Sequence, residues 1–485
     1  MLKTRLKDPS LLAERAYING QWLAADDGAT LDIIDPATGT CIAQVPALQA
    51  AETRRAIEAA EAALPAWRER PAAQRALLLE AWHQAILDNV DDLALIMTLE
   101  QGKPLAEAQG EIRYGASFVK WFAEEARRMY GDTIPAPTGD RRLLTLKQPV
   151  GVCAAITPWN FPTAMITRKC APALAAGCTI LVKPSDLTPL SALALAVLAE
   201  RVGIPAGVFN VLTGMPQGIG SELTGNPAVR KISFTGSTAV GRLLMRQSAE
   251  HIKRLSLELG GNAPFIVFDD ADLEQAVAGL MVSKFRNAGQ TCVCANRVLV
   301  QDGIYERFAE RLLQEVALLK VGNGLDAGTT LGPLINRAAV EKVARHIDDA
   351  LGQGARVLCG GLPSGDDQFV SPTVLADANT RMLCTQEETF GPLVPLIRFS
   401  TEAEAIAIAN DTPYGLAAYY FTQNLQRSWR VGEALDFGMV GLNTGAISME
   451  VAPFGGVKQS GLGREGSRYG LDEYLEIKAF HIGGL

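Results

Sequence analysis

The chain has 485 residues, 48% of them hydrophobic, enough to bury more than one core, and two or three globular domains are predicted. Its net charge of −8 is spread without long runs of one sign, which argues against a nucleic-acid surface and against a basic membrane-binding helix. Eight cysteines stand apart among apolar neighbours with no CxxC pair, and only four histidines are present, so neither a metal site nor a disulfide framework is expected. Reduced thiols, a first segment of alternating charge and the absence of a membrane-length apolar run predict a cytoplasmic protein.

In chain order, 17–22 and 31–36 read as the two strands of one small hairpin about the turn signal Asp26-Asp27-Gly28. From 50 to 125 apolar residues recur at helical spacing, with breaks at Leu64-Pro65, Arg70-Pro71, Val90-Asp91 and Gly102-Lys103-Pro104. The stretch 131–146 combines glycine and proline turns with a strand and reads as an excursion from the main body. Past Pro149, strand-like runs at 150–157, 179–183, 207–212, 231–234 and 264–268 alternate with helical stretches. That rhythm predicts a doubly wound, largely parallel α/β sheet with ligand sites at the carboxyl ends of its strands. A second alternating region runs to about 440, and a strand near 474–482 closes the chain, placed to pair with the edge of another subunit.

Three strand ends carry anion-binding or cationic features. Gly236 and Ser237 open a helix after the strand at 231–234, Gly214, Gly218 and Gly220 follow another strand, and Lys183 closes a third. Together they point to a nucleotide. The segment FRNAGQTCVCAN at 285–296 sets Cys292 in a polar loop between a helical run and a strand-like run, as an accessible nucleophile requires. Asn160, between two prolines at the end of the 150–157 strand, has an amide that could face an oxyanion. Glu258 is an acid among apolar residues, where desolvation raises the pKa toward that of a general base.

The segments TPWNFP around Asn160, FTGST at 234–238, LELGGNAP around Glu258, NAGQTC ending at Cys292 and EETFGP at 387–392 together resemble the NAD(P)-dependent aldehyde dehydrogenase superfamily over nearly the whole chain. The resemblance implies an aldehyde dehydrogenase-like α/β fold: a doubly wound cofactor-binding domain (1–126, 146–255 and 441–468), an α/β catalytic domain (256–440) and a small β oligomerisation element (127–145 and 469–485). It implies that Cys292 attacks the aldehyde, that Asn160 and the Cys292 N–H hold the oxyanion, and that Glu258 activates water against the thioester. NAD or NADP would be held by Ile156, Trp159, Lys183, Asp186, Gly220, Gly236, Ser237, Glu388 and Phe390. Asp186, three residues after Lys183, leans the expectation to NAD, because a carboxylate repels a 2′-phosphate.

Within the superfamily, ITRK at 166–169, SKFRNAGQTCVCANR at 283–297 and the tail from Val451 are similar to succinate-semialdehyde dehydrogenases. That likeness implies a distal carboxylate bound by Arg168, Arg286 and Ser448; the planar fork of arginine matches both carboxylate oxygens. Glutarate semialdehyde, one methylene longer, is the alternative substrate. A cysteine hydrolase or acyltransferase is the alternative class and would need a histidine base, which none of the motifs contains. Cys294, two residues beyond the nucleophile, is a candidate redox partner for it. A small-molecule semialdehyde as substrate, no nucleic-acid or membrane partner, and a homodimer or homotetramer complete the expectation.

Overall fold

The computed structural model describes residues 2–363, 365 and 367–484. Five parallel strands form the centre of the first sheet, in the order Arg254–Glu258, Val229–Thr235, Val152–Ile156, Thr179–Lys183 and Phe209–Val211. The chain starts at Val152–Ile156, steps outward through two crossovers, then returns to the other side of its starting strand. The carboxyl ends of Val152–Ile156 and Val229–Thr235 therefore flank a topological switch point, where a crevice opens. Antiparallel strands close both edges: Ala16–Ile18 and Gln21–Leu23 beyond Phe209–Val211, and Gly461–Leu462 beside Arg254–Glu258.

The second sheet has six parallel strands, Thr373–Ala378, Leu393–Phe399, Ala295–Gln301, Ala263–Val267, Ala417–Phe421 and Met439–Leu442, with Arg356–Cys359 antiparallel at its edge. The first sheet and the helices of 50–125 enclose one large apolar core, and the second sheet has its own. Four residues, Leu259 to Asn262, carry the chain from the end of Arg254–Glu258 straight into Ala263–Val267. The two sheets meet there.

Several expectations change. The single amino-terminal hairpin is two. Asn19-Gly20, both at positive φ, turns Ala16–Ile18 back onto Gln21–Leu23, while Thr30–Ile34 pairs with Cys41–Pro46. The Asn-Gly pair is itself the strongest short-range hairpin signal, and it lay inside what read as one strand. The helix Ala50–Glu69 runs through Pro65 without a break, because burial of Trp67 in the core outweighs one lost backbone hydrogen bond. The terminal strand Leu475–Gly483 pairs along its length with Arg141–Pro149 of its own chain, forming a three-stranded sheet with Thr133–Ile134. The boundary drawn at 255/256 cuts the strand Arg254–Glu258, which belongs to the first sheet through Glu258, and the one at 440/441 cuts Met439–Leu442 of the second. Among the described residues, no helix is long and apolar enough to cross a membrane and no cluster of metal-ligating side chains occurs.

Candidate active site

A cavity of about 340 Å³ lies where the sheets meet, lined among others by Trp159, Asn160, Gly236, Ser237, Cys292, Glu388 and Phe390. The first sheet contributes its carboxyl ends: Trp159 and Asn160 follow Val152–Ile156, and Gly236 and Ser237 follow Val229–Thr235. The second sheet contributes residues that precede its strands, Cys292 before Ala295–Gln301 and Glu388 and Phe390 before Leu393–Phe399. Carboxyl-end reasoning therefore located half of the cavity; the other half arises because the second sheet presents its amino ends to the crevice.

Cys292 is partly exposed, and burial of its surroundings pushes the thiol up to about 12, assisted by the negative Glu388 and opposed by Arg168. That environment favours the thiol over the thiolate. The loop leading to it is strained: Asn287 and Ala288 sit at φ 52° and 54°, a left-handed conformation that costs side-chain-bearing residues on the order of 1–3 kcal/mol each. Gly261 allows the close approach of the two loops, since a Cβ there would lie 2.3 Å from the Cys292 carbonyl oxygen. Tyr419 Oη donates to the Val293 carbonyl at 2.7 Å and fixes the far side of the loop.

Asn160 is buried, and its Nδ2 donates one hydrogen to the Gln290 carbonyl at 3.0 Å, leaving the other for a ligand. Glu258 is buried, with one carboxyl oxygen lacking a hydrogen-bond partner among the described residues. Desolvation, then repulsion from Glu465, pushes its carboxyl well above the ordinary range. Glu388 accepts from the Gly261 N–H at 3.0 Å, and burial raises its carboxyl to about 7. Trp159 and Phe390 meet edge to face with centroids 5.6 Å apart.

A second cavity of about 250 Å³ is lined by Ile156, Lys183, Gly220, Val240 and Leu244 among others. The helix Thr238–Ser248 joins the two: Val240 and Leu244 face this cavity, while Gly236 and the N-cap Ser237 face the first. An elongated ligand with an anionic middle would lay that middle on the helix N-terminus. Lys183 is buried, which lowers its ammonium to about 8, and its recorded partner is Asp186 at 4.0 Å. It is a donor available to ribose hydroxyls. The residues present thus fit a dinucleotide. Asp186 stands at the rim and lines neither cavity.

The proposed carboxylate anchors divide. Arg168 is not at an entrance: it is 1% exposed, its Nη2 lies 2.7 Å from Glu465, and its guanidinium stacks 3.9 Å above the Phe454 ring. Lys169, the next residue, reaches the same acid, so two cations share the one carboxylate of Glu465. Arg286 is half-buried and lies over the rings of Phe161, at 4.6 Å, and Tyr114, at 5.9 Å, with no carboxylate at ion-pair distance among the described residues. Ser448 lies near the Tyr114 hydroxyl, which has no hydrogen-bond partner among the described residues and also feels both arginines. Sequence reasoning missed Tyr114, a phenol inside an otherwise ordinary amphipathic helix.

Cys294 is buried, its Sγ 3.6 Å from the Lys284 carbonyl, and both it and Cys292 are free thiols. No histidine lines either cavity. His346 stands behind the first one, bonded to Thr389 and Glu387, where burial holds it below its ordinary pKa.

A two-sheet α/β frame that sets a cysteine against an amide donor and a desolvated carboxylate, beside a dinucleotide-shaped crevice, defines a cysteine-dependent oxidoreductase. The aldehyde dehydrogenase family model matches residues 22–480, and the chain belongs to that family. It is 61% identical over 480 residues to the succinate-semialdehyde dehydrogenase [NADP(+)] of Escherichia coli, covering 99% of this chain and all of that one. It is 62% identical over 475 residues to the glutarate-semialdehyde dehydrogenase of Pseudomonas putida, covering 98% of each. The crystal structure of succinate-semialdehyde dehydrogenase from Burkholderia pseudomallei superposes with a TM-score of 0.98 at 60% identity, over 99% of each chain.

Proposed function

We propose that this enzyme oxidises succinate semialdehyde to succinate with NAD(P)+. The observation that carries the substrate is Arg286, a guanidinium that feels the buried Glu107 but has no carboxylate at ion-pair distance among the described residues, held by aromatic faces next to Tyr114 and Ser448. A distal carboxylate supplies a partner at ion-pair distance, with Arg286 and Ser448 as direct contacts. The relative named for succinate semialdehyde supports this reading; the one named for glutarate semialdehyde supports the runner-up, since one methylene is worth only about 1–3 kcal/mol of discrimination.

The partly exposed Cys292 thiol gives its proton to solvent water and its sulfur bonds to the aldehyde carbon, while the carbonyl π pair moves onto the aldehyde oxygen, which takes the negative charge. The free N–H of Asn160 and the Cys292 backbone N–H stabilise that oxyanion. When bound, NAD(P)+ supplies the acceptor for the hydride that leaves this carbon as the thioester forms. Glu258 then takes a proton from water, the hydroxyl bonds to the thioester carbon, and the C–S bond breaks to regenerate Cys292. An ionised Glu258 is a stronger base than an ordinary carboxylate because its buried position disfavours the charge.

Lys183 and Asp186 would contact the adenosine ribose, Gly236 and Ser237 the pyrophosphate, and Glu388 and Phe390 the nicotinamide end. The lean to NAD has no support: a relative 61% identical is named for NADP(+), and Asp186 is partly exposed at the rim, where it can turn aside. We infer use of both dinucleotides. We also infer a homo-oligomer built on the sheet of Leu475–Gly483, whose Ile477 and Phe480 are 69% and 47% exposed. The first experiment compares kcat/KM for succinate semialdehyde, glutarate semialdehyde and butanal, followed by reduced-nicotinamide absorbance. Butanal equal to succinate semialdehyde would overturn the substrate assignment; glutarate semialdehyde in the lead would favour the runner-up.

A further inference from the structure

The backbone carbonyl of Asn160 is gripped by two side chains from elsewhere in the chain. Lys103 Nζ donates to it at 2.7 Å and Asn287 Nδ2 at 3.0 Å, so both lone pairs are used. Lys103 is buried, pairs with Glu111 at 2.5 Å and lies 4.1 Å above the ring of Phe161, the next residue. Glu111 in turn accepts from the N–H groups of Thr163 at 3.0 Å and Ala164 at 3.2 Å, just beyond Asn160. One turn earlier on the same helix, Leu105–Glu125, Glu107 accepts from the Asn287 N–H at 2.8 Å. Asn287 also reaches the Gln290 carbonyl at 3.3 Å, the group that holds the Asn160 side-chain amide.

Two acids four residues apart thus hold the two loops of the active site, Glu111 the oxyanion loop and Glu107 the nucleophile loop. Lys103 and Asn287 converge on the one peptide oxygen between them. A buried ammonium has three N–H donors to satisfy, and an acid alone does not take them all. This one is also bonded to the peptide of the residue whose amide faces the oxyanion.

We propose that Lys103, Glu111 and Asn287 are positioning residues for the Asn160 oxyanion donor. Rotation of the Asn160–Phe161 peptide would swing that amide away from the developing charge, and the paired donors prevent the rotation. Such constellations work only when held to within roughly 0.5 Å and 10–20°. Loss of an oxyanion donor outright costs about 10²–10³-fold in kcat, so a donor left in place but loosely held should cost about 10- to 100-fold.

Two variants test this. Lys103→Met with Glu111→Gln removes both members of that ion pair together, keeps an acceptor for Thr163 and Ala164, and takes the ammonium from the Asn160 carbonyl; Glu107, which also feels Lys103, keeps Arg286 and the Asn287 N–H. Asn287→Gly removes the second donor at a position whose φ of 52° suits glycine. Each is expected to lower kcat and the single-turnover rate about 10- to 100-fold, with KM for aldehyde and dinucleotide within about twofold of the parent. Inactivation by iodoacetamide, which reads Cys292 reactivity without an oxyanion, should stay within about twofold. Combining the variants should cost less than the product of the separate losses, because they share one acceptor. Ala288→Gly, which adds the same backbone freedom and removes no donor, is expected to keep kcat within about threefold. The proposal is overturned if Asn287→Gly retains parental kcat, if Ala288→Gly loses as much, or if the loss is matched in either KM or in the iodoacetamide rate.

Discussion

Replacing each of the two arginines by alanine should give two different defects. Arg286 has no carboxylate at ion-pair distance among the described residues, its guanidinium rests on Phe161 and Tyr114, and the buried Glu107 that feels it also keeps Lys103, so Arg286→Ala leaves no acid without a cation. What is lost is the charged hydrogen bonding to the substrate's distal carboxylate, about 1.5–3 kcal/mol, or roughly 10- to 100-fold in kcat/KM. Butanal lacks that carboxylate and should be oxidised at nearly the parental rate. Arg168→Ala instead removes half of the positive charge facing the buried Glu465, leaving Lys169 alone. Breaking a buried pair typically costs about 3–5 kcal/mol, and with Lys169 remaining the lower end is expected, visible as a lower Tm and a loss shared by charged and neutral aldehydes. The assay is kcat/KM for succinate semialdehyde and butanal in both variants, with thermal unfolding alongside. Equal losses on the two aldehydes in Arg286→Ala would refute its role as the anchor. An unchanged Tm in Arg168→Ala would refute the structural account of that ion pair.

Glu258→Gln should still release reduced nicotinamide in a first burst of about one equivalent per site but turn over at least about 10²-fold more slowly, because the thioester persists; an unchanged steady-state rate would exclude Glu258 as the base. Its raised pKa also sets the sign of the pH dependence: below that pKa the carboxyl is protonated and cannot accept from water, so thioester hydrolysis should rise with pH, and the rise should vanish in Glu258→Gln. Gly261→Ala places a methyl 2.3 Å from the Cys292 carbonyl oxygen and should cost about tenfold or more in kcat in a folded protein; parental activity would show that the nucleophile loop yields freely. If oxidation pairs Cys292 with Cys294, peroxide inactivation should be reversed by dithiothreitol in the parent and become irreversible in Cys294→Ala, and identical behaviour of the two would end that idea.

What the sequence determined by itself is the set of candidate groups and the strands that carry them. Asn160 and Cys292 each stand in a short polar segment beside an apolar run, and Glu258 is a lone acid among apolar residues, local patterns legible at the scale of a dozen residues. The βαβ rhythm then located the carboxyl ends of the first sheet. The tertiary structure decided which groups are free. Arg168 and Arg286 look alike in sequence, yet one pairs with Glu465, nearly 300 residues away, and the other rests on aromatic faces with no acid at ion-pair distance among the described residues. Lys103 read as part of a helix break, and only folding brings it to the carbonyl of Asn160. Tyr114 and Glu111 lie on a helix whose spacing predicts burial without saying against what. Local pattern fixes direction and exposure within one element; the pairing of charges and of hydrogen-bond donors depends on contacts between elements far apart in the chain, which no local pattern encodes.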